Sequence, residues 1–214
     1  ENQNKLQQQR LSISRDLHDN IGAQLSFIIS AIDTIKYYAA DKNEQLTTKL
    51  NNISAFARET IQELRDTVWA MNKSDITIKD LQSRIANFIE KAKQSQHNTI
   101  VSVVVADTVP TNLNFTALQG LNIFRIIQEA TNNALKYADA NHVLIQITKQ
   151  ENGIGFLIKD DGKGFQESAI EPGNGLLNMR KRAMELKSTL ELHSEINVGT
   201  DIRFSVSIEN KQQV

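Results

Sequence analysis

Over the first third of the chain, positions 6, 10, 13, 17, 21, 25, 28, 32 and 35 follow one another at steps of four and three residues. All are Leu or Ile except Arg10. A mean step near 3.5 puts these side chains along one side of a helix as a near-heptad seam. The polar stretch AADKNEQ at 39–45 interrupts it. A second stripe then resumes the same period: Leu46, Leu50, Ile53, Ala57, Ile61, Leu64 and Val68. Two long amphipathic helices with a short polar connection predict an antiparallel hairpin. One hairpin cannot cover both of its apolar faces. A second copy covers them most simply, giving a four-helix bundle by dimerisation.

Beyond residue 70 the period changes. A linker is expected at 71–76 and a further helix over 77–95. The β-branched run Thr99–Ala106 reads as a strand, residues 114–138 as a helix, and His142–Thr148 and Ile154–Lys159 as alternating strands. A glycine-rich loop over 160–175 leads into a helix at 176–187, followed by strands at Thr189–His193 and Asp201–Ile208. The expected fold class is α+β. A helical hairpin, residues 1–70, precedes an α/β sandwich at 77–209 with helices on one face of a sheet, and residues 210–214 form a tail.

Composition narrows the functions open to such a chain. Its 24 Lys and Arg balance 25 Asp and Glu among 214 residues, for a net charge of −1. That leaves neither the positive field of a dedicated nucleic-acid binder nor a polybasic membrane-binding block. No Cys is present, so disulfides, thiol catalysis and thiolate metal sites are excluded. The polar start ENQNKLQQQR has no signal-peptide character, and no apolar run approaches the ~20 residues that span a bilayer.

Four clusters could carry chemistry. Arg15-Asp16-Leu17-His18-Asp19 places His18 one position past a seam residue, at the edge of the buried stripe, where a neutral imidazole can act as a nucleophile. Alone it reads first as a surface histidine between salt-bridging neighbours, with Arg15 and Asp19 at i, i+4. Arg125, Glu129, Asn133 and Lys136 share one helical face, where an amide oxygen can meet Mg²⁺, a carboxylate can orient water and an ammonium can meet phosphate. The plain alternative is a solvated face. Asp160-Asp161-Gly162-Lys163-Gly164 ends a predicted strand, and its glycines let backbone approach a ligand, although Asp-Gly pairs also make ordinary turns. Gly173-Asn174-Gly175-Leu176 opens a helix whose free N–H groups suit a phosphate. It is neither a Walker A loop nor a Rossmann fingerprint.

Taken together and in this order, the clusters resemble the cytoplasmic catalytic core of a bacterial two-component sensor histidine kinase. The closest pattern is the subfamily with the phosphoacceptor motif D-L-H-D-x-x-G, here Asp16-Leu17-His18-Asp19-Asn20-Ile21-Gly22. Leu64–Ala70 is similar to that subfamily's second-helix ending. The second half resembles the ATP-binding domain shared with gyrase, Hsp90 and MutL: Glu129–Lys136 its N box, Asp160-x-Gly162-x-Gly164 its G1 box, and Gly173-x-Gly175 its G2 box.

The resemblance implies an enzyme that uses ATP and Mg²⁺ to phosphorylate His18 and passes the phosphoryl group to an aspartate on a response regulator receiver domain. It implies catalytic roles for His18, Asp19 and Glu129. Nucleotide would be held by Asn133, Lys136, Asp160, Gly162, Gly164, Gly173 and Gly175, with Mg²⁺ on Asn133. It further implies a homodimer with no direct nucleic-acid contact. The full-length protein would carry an upstream sensor or membrane segment, with this core on the cytoplasmic side. Three positions depart from the pattern. Ala23 stands where a Gln is common, with Gln24 next to it. Tyr137 replaces a frequent His. Asn197-Val198-Gly199-Thr200 lacks the first glycine of the late glycine motif.

Overall fold

The computed structural model describes residues 21–39, 44–93, 99–166 and 174–207. The chain divides into two compact units, Glu1–Ser74 and Asp75–Val214. His18, Asp19 and Gly173 lie outside the described residues.

In the first unit, helix α1 (Gly22–Ala39) and helix α2 (Glu44–Met71) form an antiparallel pair. Their shared core is Ile29, Ala57 and Ile61, with Leu25 packed against it. Ile32 and Leu50 are buried as well. A polar cluster lies along the pair: Arg58 Nη2 donates to Asp33 Oδ2 at 2.7 Å, Ser54 Oγ lies 3.5 Å from Asp33 Oδ1, and Lys36 Nζ is 3.7 Å from the same carboxylate. The hydrophobic stripe therefore splits between two faces. Leu25, Ile29 and Ile32 turn toward α2, whereas Ile21, Ile28 and Ile35, spaced seven apart, stay exposed. On α2, Leu46 and Ile53 are exposed with the same spacing, and Phe27 and Phe56 are open to solvent at 76% and 70%. Each helix thus presents a second apolar face that its own hairpin does not cover. Among the described residues, no helix is long and apolar enough to cross a membrane.

The second unit starts earlier than the pattern suggested. Strand β1 (Asp75–Thr77) pairs antiparallel with strand β3 (Asn114–Thr116), a short ribbon that carries no periodic signal. Ile76, expected in a linker, is fully buried. It packs where Gly120 has no side chain, and a Cβ there would collide with it. Each ribbon strand runs straight into a helix through a capping threonine. Thr77 Oγ1 accepts from Asp80 N at the start of helix α3 (Ile78–Lys93), while Asp80 Oδ2 accepts from Thr77 N. Thr116 and Gln119 make the same reciprocal box at the start of helix α4 (Ala117–Tyr137).

The main sheet has five strands: β2 (Ile100–Val105), β4 (His142–Gln150), β5 (Gly153–Asp160), β6 (Glu191–Glu195) and β7 (Gly199–Ser207). Their spatial order is β2-β4-β5-β7-β6. Only the β2–β4 pair is parallel, with Val101 opposite Val143. Val143, Ile145, Ile147, Ile154, Phe156, Ile158, Ile202, Phe204 and Val206 point to one face and are buried, with α3 and α4 packed on the sheet. Helix α5 (Asn174–Glu185) packs beside α4 through Met179 and Ala183. Ser102, Gln146, Leu157 and Arg203 alternate onto the opposite, open face.

Candidate nucleotide site

Helix α4 sorts its residues by side. Ile123, Ile126, Ile127, Ala130, Thr131 and Ala134 are buried, while Glu129 and Asn133, one turn apart, are half-buried on its polar side. Lys136, near the end of the helix, is exposed. Arg125 Nη1 donates to Gln128 Oε1 at 3.0 Å.

At the end of β5, the Asp160 carboxylate sits in the fold with only 7% of the residue exposed. Gly162 N donates to its Oδ1 at 2.9 Å, and the Thr200 amide donates to the same carboxylate. Burial nevertheless raises its pKa above the ordinary carboxylate value, with the Asp161 and Asp201 charges adding to the rise and the two amides only opposing it. A buried carboxylate fixed by two backbone amides still has acceptor capacity toward an amino group.

The loop after Asp160 is pinned on two sides. On one, Lys163 N donates to Ala138 O at 2.7 Å, just past the end of α4. Asp161 Oδ1 accepts from Asn141 N and His142 N, both at 2.8 Å, and its Oδ2 lies 2.9 Å from His142 Nδ1. These bonds, the His142 amide first, hold the Asp161 carboxyl below its usual pKa. On the other side, Asn197 N donates to Lys163 O at 2.7 Å and Phe165 N to Ser194 Oγ at 3.0 Å. Ser194 Oγ also lies 3.0 Å from Thr200 Oγ1. The structure thereby joins the end of α4, the Asp160 loop and the β6–β7 turn.

Glycine is needed where these segments touch. Gly199 has φ +123°, and a Cβ there would strike the Asp160 carbonyl. We expect Gly199→Val to destabilise this unit by at least about 2 kcal/mol, because the strained backbone and the clash act together; a thermal melt showing an unchanged midpoint would refute this. Asn197 has φ +62°. This is the left-handed conformation, which glycine adopts freely and a short polar side chain tolerates. The departure noted in the sequence is therefore compatible with the turn.

The fourth cluster meets the second through Gly175. A side chain there would run into the Glu129 carboxylate, so the start of α5 lies directly on the polar side of α4. A shallow depression of about 620 Å³, walled by Gln146, Thr148, Lys187 and Arg203, opens on the other face of the sheet and contains none of these residues.

Two family models match the chain. One, described as histidine kinase, matches residues 9–76. The other, described as histidine kinase-, DNA gyrase B- and HSP90-like ATPase, matches residues 119–210.

The chain belongs to the sensor histidine kinases.

This histidine kinase core is 28% identical over 209 residues to the sensor histidine kinase YxjM of Bacillus subtilis, covering 96% of this chain and 50% of the relative. It is 24% identical to the signal transduction histidine-protein kinase/phosphatase DegS of Brevibacillus brevis, covering 96% of this chain and 53% of that protein. The chain thus spans about half the length of these curated relatives. Among solved structures, the Acinetobacter baumannii histidine kinase AdeS shares the fold with a TM-score of 0.57 at 16% identity, over 87% of this chain and 98% of that one. The mixed helical and sheet architecture expected from the sequence is that of the family.

The donor set of this histidine kinase core suits a nucleotide-borne cation. Among the described residues no three carboxylates or histidines gather into a metal cage. Mg²⁺ instead prefers one or two protein oxygens together with phosphates and water, and the half-buried Asn133 amide beside Glu129 offers that arrangement. Sequence reasoning missed Thr200, Ser194 and the carbonyl of Ala138 as supports of the Asp160 loop. Thr200 could have been found from its place directly after Gly199 in the late motif. Ser194 carries no such signal.

Proposed function

We propose that this chain is the catalytic core of a two-component sensor kinase, in which ATP bound by the second unit phosphorylates His18. The observation that carries this reading is Asp160, buried, held by two backbone amides and set in a loop fastened to the end of α4. Its free acceptor capacity takes the adenine amino group. Gly162 and Gly164 keep the loop low enough for the base to approach. Lys136 and Gly175 face the phosphates, the latter through its N–H at the start of α5, and the motif assigns Gly173 to the same ligand. Asn133 would hold Mg²⁺, which offsets phosphate charge when bound.

A ring nitrogen of His18 attacks the γ-phosphorus in line. The bond from that phosphorus to the bridging oxygen breaks, ADP leaves, and the imidazole proton passes to Asp19. Glu129 orients the reacting groups from the polar side of α4. There is little covalent work for the protein beyond placing reactants and stabilising charge. The phosphoryl group then moves from His18 to an aspartate of a response regulator.

Incubation with γ-labelled ATP and Mg²⁺ tests the reading. The label should be labile in acid and stable in alkali, as a phosphoramidate is. Acid-stable label would assign the phosphate to a hydroxyl residue instead. ATP binding with no label would make the chain a nucleotide-binding scaffold.

The exposed heptad positions Ile21, Ile28 and Ile35 on α1, with Leu46 and Ile53 on α2, favour a second copy as their cover. We expect Ile28→Glu combined with Ile53→Glu to convert a dimer into a monomer in analytical ultracentrifugation. A dimer that persists at micromolar concentration in the double variant would place the interface elsewhere.

A further inference from the structure

Helices α4 and α5 meet at two points along an antiparallel seam. At one, Gly175 lies against the Glu129 carboxylate. At the other, Asn122 is 1% exposed and uses both halves of its amide: Nδ2 donates to Glu185 Oε2 at 3.0 Å, and Oδ1 accepts from Arg182 Nη1 at 3.2 Å. Asn122 precedes Glu129 by seven residues, and Arg182 follows Gly175 by seven. Both intervals are two helical turns, about 10.5 Å. The two contacts therefore belong to one register of the helix pair.

A buried amide makes that register selective. Sliding α5 by one turn would leave the Asn122 donor and acceptor inside the fold without partners, a heavy penalty for a buried amide. The apolar part of the seam, Met179 and Ala183, is less discriminating, since apolar contacts tolerate displacement. A single buried polar residue is the best-attested device for fixing helix register.

We propose that Asn122, with Arg182 and Glu185, is a positioning unit for phosphoryl transfer that locks α5 on α4 so that Gly175 is held over Glu129. The inference rests on the reading that Glu129 and the start of α5 face the phosphates of ATP. Asn122 itself is buried in this seam. It acts through the placement of the other end of the seam.

The test uses the whole 214-residue chain and measures autophosphorylation kcat and KM, ADP binding and hydrogen exchange along α5. In Asn122→Asp the new carboxylate faces Glu185. We expect kcat to fall on the order of 10- to 100-fold, as misplacement by about an ångström does. ADP affinity, set largely at the Asp160 end, should stay within about threefold, a small change on the scale of tenfold per 1.4 kcal/mol. Exchange of the first α5 amides should quicken. In N122D/E185Q the amide introduced at 185 donates to the carboxylate introduced at 122, and both rate and protection should return. Glu185→Ala, a change at an exposed residue, should lower kcat in the same direction if Asn122→Asp does not fold.

An unchanged kcat in folded Asn122→Asp or Glu185→Ala overturns the proposal. So does a loss of ADP binding in proportion to the loss of rate, or failure of the double variant to recover. A wild-type chain that binds ADP but forms no phosphohistidine would instead overturn the kinase reading. The exchange measurement would then still decide whether the clasp fixes the register.

Discussion

Asp160→Asn should yield a second unit that melts at or above the wild-type temperature and binds ATP roughly 10- to 100-fold more weakly. The two effects have one cause. Burial makes the ionised carboxylate costly, and the Gly162 and Thr200 amides only partly offset that cost, so the pKa is raised. A group whose folded pKa lies above its unfolded value of 3.8 binds more protons in the folded state between the two values. Stability then falls as pH rises through that window and stays lower above it. At neutral pH the asparagine removes the charge and keeps an acceptor for the backbone amides. A gain of up to a few degrees in melting temperature is expected, since about 1 kcal/mol corresponds to a few degrees in a unit of this size. The advantage should vanish below pH 3.8, where the wild-type carboxyl is itself protonated. The adenine amino group meanwhile loses an ionised acceptor, worth about 1.5–3 kcal/mol, or roughly 10- to 100-fold in affinity. Calorimetric titration with ATP alongside pH-dependent melts separates the two effects. A variant that melts well below wild type at pH 7 would show that the carboxylate holds the loop together and is not poised for a ligand.

His18→Gln should do the reverse: nucleotide affinity intact, label absent. A glutamine side chain keeps polarity and approximate reach but has no nucleophilic ring nitrogen, so the step has no substitute at that position. The loss should reach the detection limit of the labelling assay. Together with Asp160→Asn this separates binding from transfer: His18→Gln keeps the nucleotide and loses the label, whereas Asp160→Asn weakens binding and label together. Residual acid-labile label in His18→Gln would move the acceptor to His97, His142 or His193. Of these, His142 is engaged with Asp161.

The long helices were legible because a period near 3.5 persists over many turns. Which members of the seam turn inward was not. Ile28 and Ile29 are neighbours in sequence, yet Ile29 is buried in the hairpin and Ile28 is exposed, and a seam of this kind serves both faces of a bundle. The Asp160 loop was readable from an Asp and two glycines, whereas its clamps were not, because Ala138 and Asn197 act through backbone atoms that any residue carries. Strands β1 and β3 escaped notice because three residues cannot establish an alternation. The strand expected at Thr189–His193 lies at Glu191–Glu195, fixed by its pairing with β7 rather than by its own composition. Asn122 gave no signal at all. A lone asparagine on a helix reads as solvated until the helix that buries it is in place.

The hairpin and the ATP-binding unit are joined by very little chain. Helix α2 ends at Met71, and the next two residues still follow its turn, with Asn72 N bonded to Val68 O and Lys73 N to Ala70 O. Ser74 alone then precedes β1, whose Ile76 is anchored in the core. Even fully extended, residues 72–74 would reach about 10 Å. This is a pivot and not a leash. On the proposed reading, any approach of bound ATP to His18 would have to be steered by the few dihedral angles around Ser74. Lengthening that joint with flexible residues would loosen this steering, trading a directed approach for a diffusive search.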